Sequence, residues 1–204
     1  MAPIELRNGR ARAAYAYVLG QYLGDGCLSA HRREVWRLRV TCTTSWPLVM
    51  DRLEAELSVL FPKNKVGRHV RTGEGCTQVS LYSKRWPVLI PQLGEGPKHQ
   101  REIRLASWQE SIVQREHPEP FVCGLIHSDG CRANNVIRTS ERSYTYPRYF
   151  FSNRSEDLHG LLASSLSVLG ISSTRSGWQQ SIARKRDVEA LDALGARKDS
   201  PWPE

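Results

Sequence analysis

Residues 11–24 are rich in Ala, Tyr, Val and Leu and read as a helix that stops at Asp25-Gly26. Residues 27–33 and 35–42 then read as a hairpin. In its second strand Trp36, Leu38 and Val40 fall on one face, and Arg37, Arg39 and Thr41 on the other. Ser45 is placed to cap a following helix, with Pro47 in its first turn, that runs to about Leu60. Residues 65–71 and 77–84 read as a second hairpin, with Gln78, Ser80, Tyr82 and Lys84 sharing a face, and a short helix at 86–93 closes the unit. The same succession returns downstream. A helix at 119–128 leads to strands near 131–138 and 146–152, a helix at 156–169, a hairpin near 172–185 and a last helix at 187–194. Ser155 caps the long helix, Glu156 and Asp157 sit in its first turn, and Gly170 lies just past its end.

The recurrence extends to individual letters. VLGQYLGDGC at 18–27 and VCGLIHSDGC at 122–131 share Val, Gly, Asp, Gly and Cys at one constant offset. QVSLYSK at 78–84 and QQSIARK at 179–185 form a second, looser pair, and Leu93-Gly94 and Leu194-Gly195 follow each. The chain therefore reads as an α+β protein of two αββαββα repeats, 11–100 and 119–204. They are joined by a linker at 101–118, where REHPEP breaks regular structure.

Composition narrows the setting. The 204 residues are 40% hydrophobic and 25% charged, enough for a real core in one or two units. No apolar run reaches the roughly 18 to 20 residues of a membrane span, and no basic-then-apolar leader opens the chain. The five Cys form no C-x-x-C pair and no zinc-finger spacing, so they read as reduced thiols of a cytoplasmic protein. The formal charge of +8 hints at an anionic partner. The 23 Arg against 6 Lys suit phosphates and base edges, but equally reflect GC-rich coding.

The repeated motif carries more. Gly20 and Gly24 lie on one helix face, as do Gly124 and Ser128. Small residues at that spacing let two helices approach closely, and the natural partner of each helix is its repeat mate. A pseudo-twofold axis then runs between them and brings Asp25 beside Asp129. Each carboxylate stands at the negative end of a helix dipole and near its twin, which costs stability twice over. A divalent cation resolves the conflict, and hard oxygen ligands suit Mg²⁺ or Mn²⁺. The implied chemistry is metal-assisted attack of water on a phosphodiester. A lone Asp-Gly would be no more than a helix-ending turn.

These segments resemble the LAGLIDADG homing endonucleases in their single-chain, two-motif form. VLGQYLGDG and VCGLIHSDG each align with the nine motif positions without gaps. The resemblance spans about 11–195 and implies two antiparallel sheets forming a saddle over double-stranded DNA. It implies that Asp25 and Asp129 bind the metal, with Leu23 and His127 in place of the motif's first acid. It further implies a polar residue after the second strand near the active site. That position falls at Asn153 in the second repeat and at Cys42, a departure, in the first. A basic residue after each repeat's last helix fits Lys98, with Lys198 as its counterpart. The expected activity is site-specific double-strand cleavage at a long asymmetric target by a monomer in the cytoplasm, on the nucleoid if the source is bacterial. A non-cleaving transcriptional regulator, or an RNA-splicing maturase, on the same scaffold stays open.

The DNA face expected from the first repeat holds Ser29, His31, Arg33, Arg37, Arg39 and Thr41, then Lys65, His69, Arg71, Gln78, Ser80, Tyr82 and Lys84. In the second it holds Arg132, Asn134, Arg138, Arg148, Gln179, Ser181 and Lys185. Arg and Gln fit the edges of G and A, while Lys and the remaining Arg position phosphates. Strand register decides this list, because a slip of one residue exchanges the faces.

Overall fold

The computed structural model describes residue 3 and residues 6–203. The first repeat contains α1 (Gly9–Asp25), β1 (Gly26–Ala30), β2 (Trp36–Thr43), α2 (Pro47–Leu60), β3 (Gly67–Arg71), β4 (Cys76–Ser83) and the short α3 (Trp86–Leu89). The second contains α5 (Pro118–Asp129), β5 (Gly130–Arg138), β6 (Ser143–Ser152), α6 (Glu156–Val168), β7 (Thr174–Ser176), β8 (Gln179–Ile182) and α7 (Lys185–Ala193). Between them lies α4 (Ser107–Ser111), continued by a π-helical turn over Ile112–Glu116. The join is thus helical where the sequence suggested an irregular linker. Ile112 and Val113 supply the reason, being buried against the core.

Two antiparallel four-stranded sheets result, in the orders β1-β2-β4-β3 and β5-β6-β8-β7. Their registers superimpose the repeats. Gly26 pairs with Val40 as Gly130 pairs with Phe151, which equates Cys42 with Asn153. Val40 pairs with Val79 as Phe151 pairs with Gln180, so 78–81 and 179–182 occupy equivalent strands, and the likeness ends where β8 does.

α1 is buried on every side from Ala14 to Leu23, because α5, α2 and the first sheet enclose it. Asn8 starts it by accepting the Ala11 N–H at 2.8 Å. Ser155 starts α6 by accepting from Leu158 N–H, as its position suggested. Ser45 does not play that part for α2. Trp46 stands at the cap with no side-chain bond, and Pro47, at the start of the helix, needs no N–H partner. Leu38, Val40, Val79 and Leu81 of the first sheet, and Tyr149, Phe151 and Ile182 of the second, face the core. Among the described residues no helix is long and apolar enough to cross a membrane, and all five cysteines are free thiols.

Candidate active site

The axis of the molecule is the contact between α1 and α5. A Cβ on Gly124 would stand 2.4 Å from Tyr17 O and 3.1 Å from Gly20 Cα, and one on Gly20 would stand 2.7 Å from Phe121 O. The backbones touch, so no side chain fits at either position. One turn on, a Cβ at Gly24 would meet Ser128 Oγ at 2.1 Å and Asp129 Oδ2 at 2.7 Å. All four small residues of the repeated motif therefore lie in this interface. Each helix then passes straight into a strand. Gly26 and Gly130 keep ordinary extended backbones at φ −83° and −98°. They are glycines because a Cβ would strike Tyr22 Cα at 2.4 Å or Ile126 Cα at 2.7 Å.

This geometry delivers Asp25 and Asp129 side by side at two adjacent helix C-termini. Burial, and next the Asp129 charge, push the Asp25 carboxyl up to about 6, against the pull of Lys198 and Lys98. Burial also raises Asp129, while the hydrogen bond from Asn153 and the two lysines hold it down. Asn153 Nδ2 donates to Asp129 Oδ2 at 2.8 Å. Asn153 is itself fixed, because its Oδ1 accepts from Ser155 N–H at 2.7 Å and its N–H donates to Trp178 O at 3.0 Å. Asp25 has no hydrogen-bond or ion-pair partner among the described residues. The equivalent side chain, Cys42, is buried, and burial followed by the Asp25 charge pushes its thiol up to about 12.

Two lysines close the site. Lys98 Nζ donates to Tyr22 O, to Gly24 O at 2.6 Å and to Gly26 O at 2.8 Å, and so caps the end of α1. Lys198 Nζ donates to Ser128 O at 3.1 Å at the end of α5. Burial lowers Lys98 to about 8, and the two aspartates oppose that shift. His127 is buried in the helix interface and makes a 2.8 Å bond with Tyr17 Oη. Burial, with Arg52 and Lys198 nearby, pushes it down to about 3, so it is a neutral interface residue. Two clefts flank the carboxylates. One, of about 290 Å³, is lined by Gly24, Lys98 and Asn153, and the other, of about 280 Å³, by Asp25, Cys42 and Lys198.

A divalent cation fits this donor set. Among the described residues no group of three or more His, Cys, Asp or Glu side chains converges. Two carboxylates with open space beside them are nonetheless what Mg²⁺ takes when water and phosphate oxygens complete its shell. Their mutual repulsion and the unpartnered Asp25 carboxylate are what a cation would relieve.

The open face of the first sheet holds most of the residues expected of it. Arg37 pairs with Tyr82 and Ser29, Arg39 with Ser80 and Cys27, and Thr41 with Gln78, which also pairs with His69. Arg37 donates to Ser80 Oγ at 3.2 Å and lies over the Tyr82 ring at 5.3 Å. Arg71 follows on the same face and is tied to Glu74 at 2.5 Å. Arg33 sits in the β1–β2 turn at φ 59°, Lys65 is exposed ahead of β3, and Lys84, past the end of β4, lies 3.8 Å from Glu34.

In the second sheet Arg148, Gln179 and Ser181 lie on the open face, with Phe150 between them. Arg132, Asn134 and Arg138 do not. Arg132 pairs with the buried Tyr149 and turns to the helix side, where its Nε and Nη2 both donate to the Asp192 carboxylate of α7 at 2.9 Å. Asn134 and Arg138 follow its parity, opposite Pro147 and Ser143. Ala133, Asn135 and Ile137 take the open side. Lys185 is displaced too, because β8 ends at Ile182 and Lys185 begins α7, 3.8 Å from Glu189. The residues passed over in sequence are Tyr144 and Tyr146, although Tyr144, Tyr146, Arg148 and Phe150 recur at every second position. On the open faces the Nε atoms of Arg37, Arg39 and Arg148 and the Ser181 hydroxyl have no hydrogen-bond partner among the described residues.

Two sheets flanking a paired-helix axis with an acid at each helix end define the fold of the LAGLIDADG homing endonucleases. The solved structures similar to this chain include mesophilic variants of the homing endonuclease I-DmoI, at 17% identity and a TM-score of 0.56, covering 94% of this chain and 98% of that one. I-DmoI in complex with DNA and Mn matches at 16% and 0.55, over 93% of this chain and 98% of that one. The LAGLIDADG meganuclease I-AabMI bound to uncleaved DNA matches at 10% and 0.55, over 93% and 84%. No family model and no curated protein matches the sequence.

Proposed function

We propose that this chain is a site-specific double-stranded DNA endonuclease that uses a divalent cation, Mg²⁺ or Mn²⁺, held by Asp25 and Asp129. The observation that carries the reading is the pair of carboxylates at touching helix ends, at the seam between two sheets with Arg-bearing open faces. The likeness to I-DmoI solved with DNA and Mn supports it. When bound, the cation supplies activation of water and neutralises charge on the phosphate. The chain's own residues do the rest. Asn153 holds the Asp129 carboxylate in one orientation. Lys98 ties down the end of α1 and leaves Asp25 unpaired for a metal. Arg37, Arg39, Arg148, Gln78 and Gln179 read bases or hold phosphates across the saddle. The free thiols suit a reducing cytoplasm, and the internal axis makes a monomer sufficient.

A non-cleaving DNA-binding regulator is favoured by one observation, the Cys42 thiol where the other repeat has Asn153. Cleavage of a target selected by binding from a randomised duplex library decides between them. Wild type cuts both strands in Mg²⁺ or Mn²⁺ and not in chelator. Asp25→Asn/Asp129→Asn loses at least about 10³-fold in rate while keeping its affinity. Tight binding without cutting in either metal overturns the reading in favour of the regulator. Binding weakens steeply with salt, and a flat dependence removes the basic saddle.

A further inference from the structure

The two saddle arms differ in chemistry. The β1–β2 hairpin is short, β1 having five residues, and its open face carries Arg37 and Arg39. β5 has nine residues, and the β5–β6 hairpin runs on past its last pairing with β8 at Tyr149. On this free arm Ile137 lies opposite Tyr144 and Asn135 opposite Tyr146, all on the parity of Arg148. Ile137, Tyr144 and Tyr146 are 48%, 41% and 49% exposed, and the two rings stack at 6.3 Å. Single exposed apolar residues need no explanation, but three adjoining ones on one face form a patch that an occupant should cover.

Resting on the endonuclease reading, we propose that this patch reads thymine methyl groups in the half-site bound by the second repeat, while the first repeat's arm reads purine edges through Arg. Three features select DNA as the occupant. The patch continues the open face on which Arg148 and Ser181 have unpartnered polar atoms. Arg148 on that face and Arg142 in the turn supply charge for the flanking phosphates, against one nearby acid, Glu141. The thymine methyl is the apolar group that the major groove offers to such side chains. Position follows from strand rise. Tyr146 and Tyr144 stand opposite residues five and seven past Gly130, roughly 17 to 23 Å along the arm. An arm that tracks the groove meets bases about five to seven steps from the centre of the target.

The test measures Kd for the duplex selected from a random library, then replaces thymine by uracil in one half-site at a time. Uracil keeps base pairing and removes only the methyl. The selected target should carry thymines about five to seven steps from the centre on one side. Uracil there should weaken binding about threefold to fivefold per methyl, and uracil in the other half-site should have no effect. Tyr144→Ser/Tyr146→Ser, at exposed positions, should abolish the uracil sensitivity and leave the other half-site's sequence preference intact. Equal affinity for the uracil duplex overturns the proposal, as does a concentration-dependent dimer that the double variant dissolves. Failure to select any duplex overturns the endonuclease reading itself and is told apart by that.

Discussion

The two repeats agree where they touch each other and differ around the two acids and on the open faces of the sheets. α1 and α5 share Gly-x-x-x-small and Asp-Gly, and the Cβ clashes that enforce glycine occur on both sides of the axis. Away from the axis the likeness fades. Asp129 is held by Asn153, but Asp25 has Cys42 at the equivalent place. Lys98 grips three carbonyls, and Lys198 one. β3 and β4 have five and eight residues, β7 and β8 three and four. Close packing against a fixed partner leaves no freedom to vary, whereas the residues around each acid and on each open face belong to one half of the molecule alone.

The most damaging way to probe the shared part is to place a side chain in it. Gly20→Val and Gly124→Val should each cost at least about 4 kcal/mol, because backbone atoms on the facing helix stand within 3 Å of the new Cβ. The losses should be similar, since one contact is spoiled from either side. Gly160, in α6 with nothing within 4 Å, is the control, and Gly160→Ala should gain about 0.5 to 1 kcal/mol. Urea denaturation checks all three. A tolerated valine at either axial glycine would mean that the helices do not meet as described.

This contrast also governs what the sequence made legible. The axis could be read because its chemistry is local and repeated: four small residues at helical spacing, then two Asp-Gly pairs. The open face of the first sheet could be read because Leu38/Val40 and Val79/Leu81 mark the buried parity of their strands. β5 gave no such mark. Arg132-Ala133-Asn134-Asn135 has no apolar alternation, so its facing is set by the pairing of Gly130 with Phe151, a tertiary fact. The end of β8 is not legible in the sequence for a similar reason, since Lys185 belongs to a helix that begins without a side-chain cap. Asn153 could be placed through the family resemblance, but its hold on Asp129 depends on the fold bringing the end of β6 to the end of α5.

The unequal support of the two acids should appear as unequal strand cleavage. With Asn153 steadying Asp129 and nothing steadying Asp25, the two strands of a target should be cut at different rates, with nicked product accumulating. Asn153→Ala should slow one strand by about 10- to 100-fold, the usual effect of losing a group that orients a metal ligand. Cys42→Ala should change neither rate by more than about twofold, and Cys42→Asn should speed the slower strand. End-labelling each strand separately measures this. Equal strand rates in wild type would show that the asymmetry around the acids has no consequence for cleavage.

The smallest effects separate the two faces of the sheets. Arg39 and Arg132 look alike in sequence, each an arginine on a strand near a motif aspartate. Arg39 Nε is unpartnered on the open face, while Arg132 grips Asp192, which also accepts from Tyr149 Oη at 2.7 Å. Arg132→Leu restores the residue type that the first repeat has at Leu28, the position equivalent by register. It should lower stability by about 1 kcal/mol, since the pair is only partly buried, and leave DNA affinity unchanged. Arg39→Leu should do the reverse, weakening binding by about 1 to 3 kcal/mol and reducing the salt dependence if its partner is a phosphate, or relaxing one base preference if it is a guanine. An Arg132 variant that binds DNA more weakly at unchanged stability would place that strand's other face on the target and reverse the parity of β5.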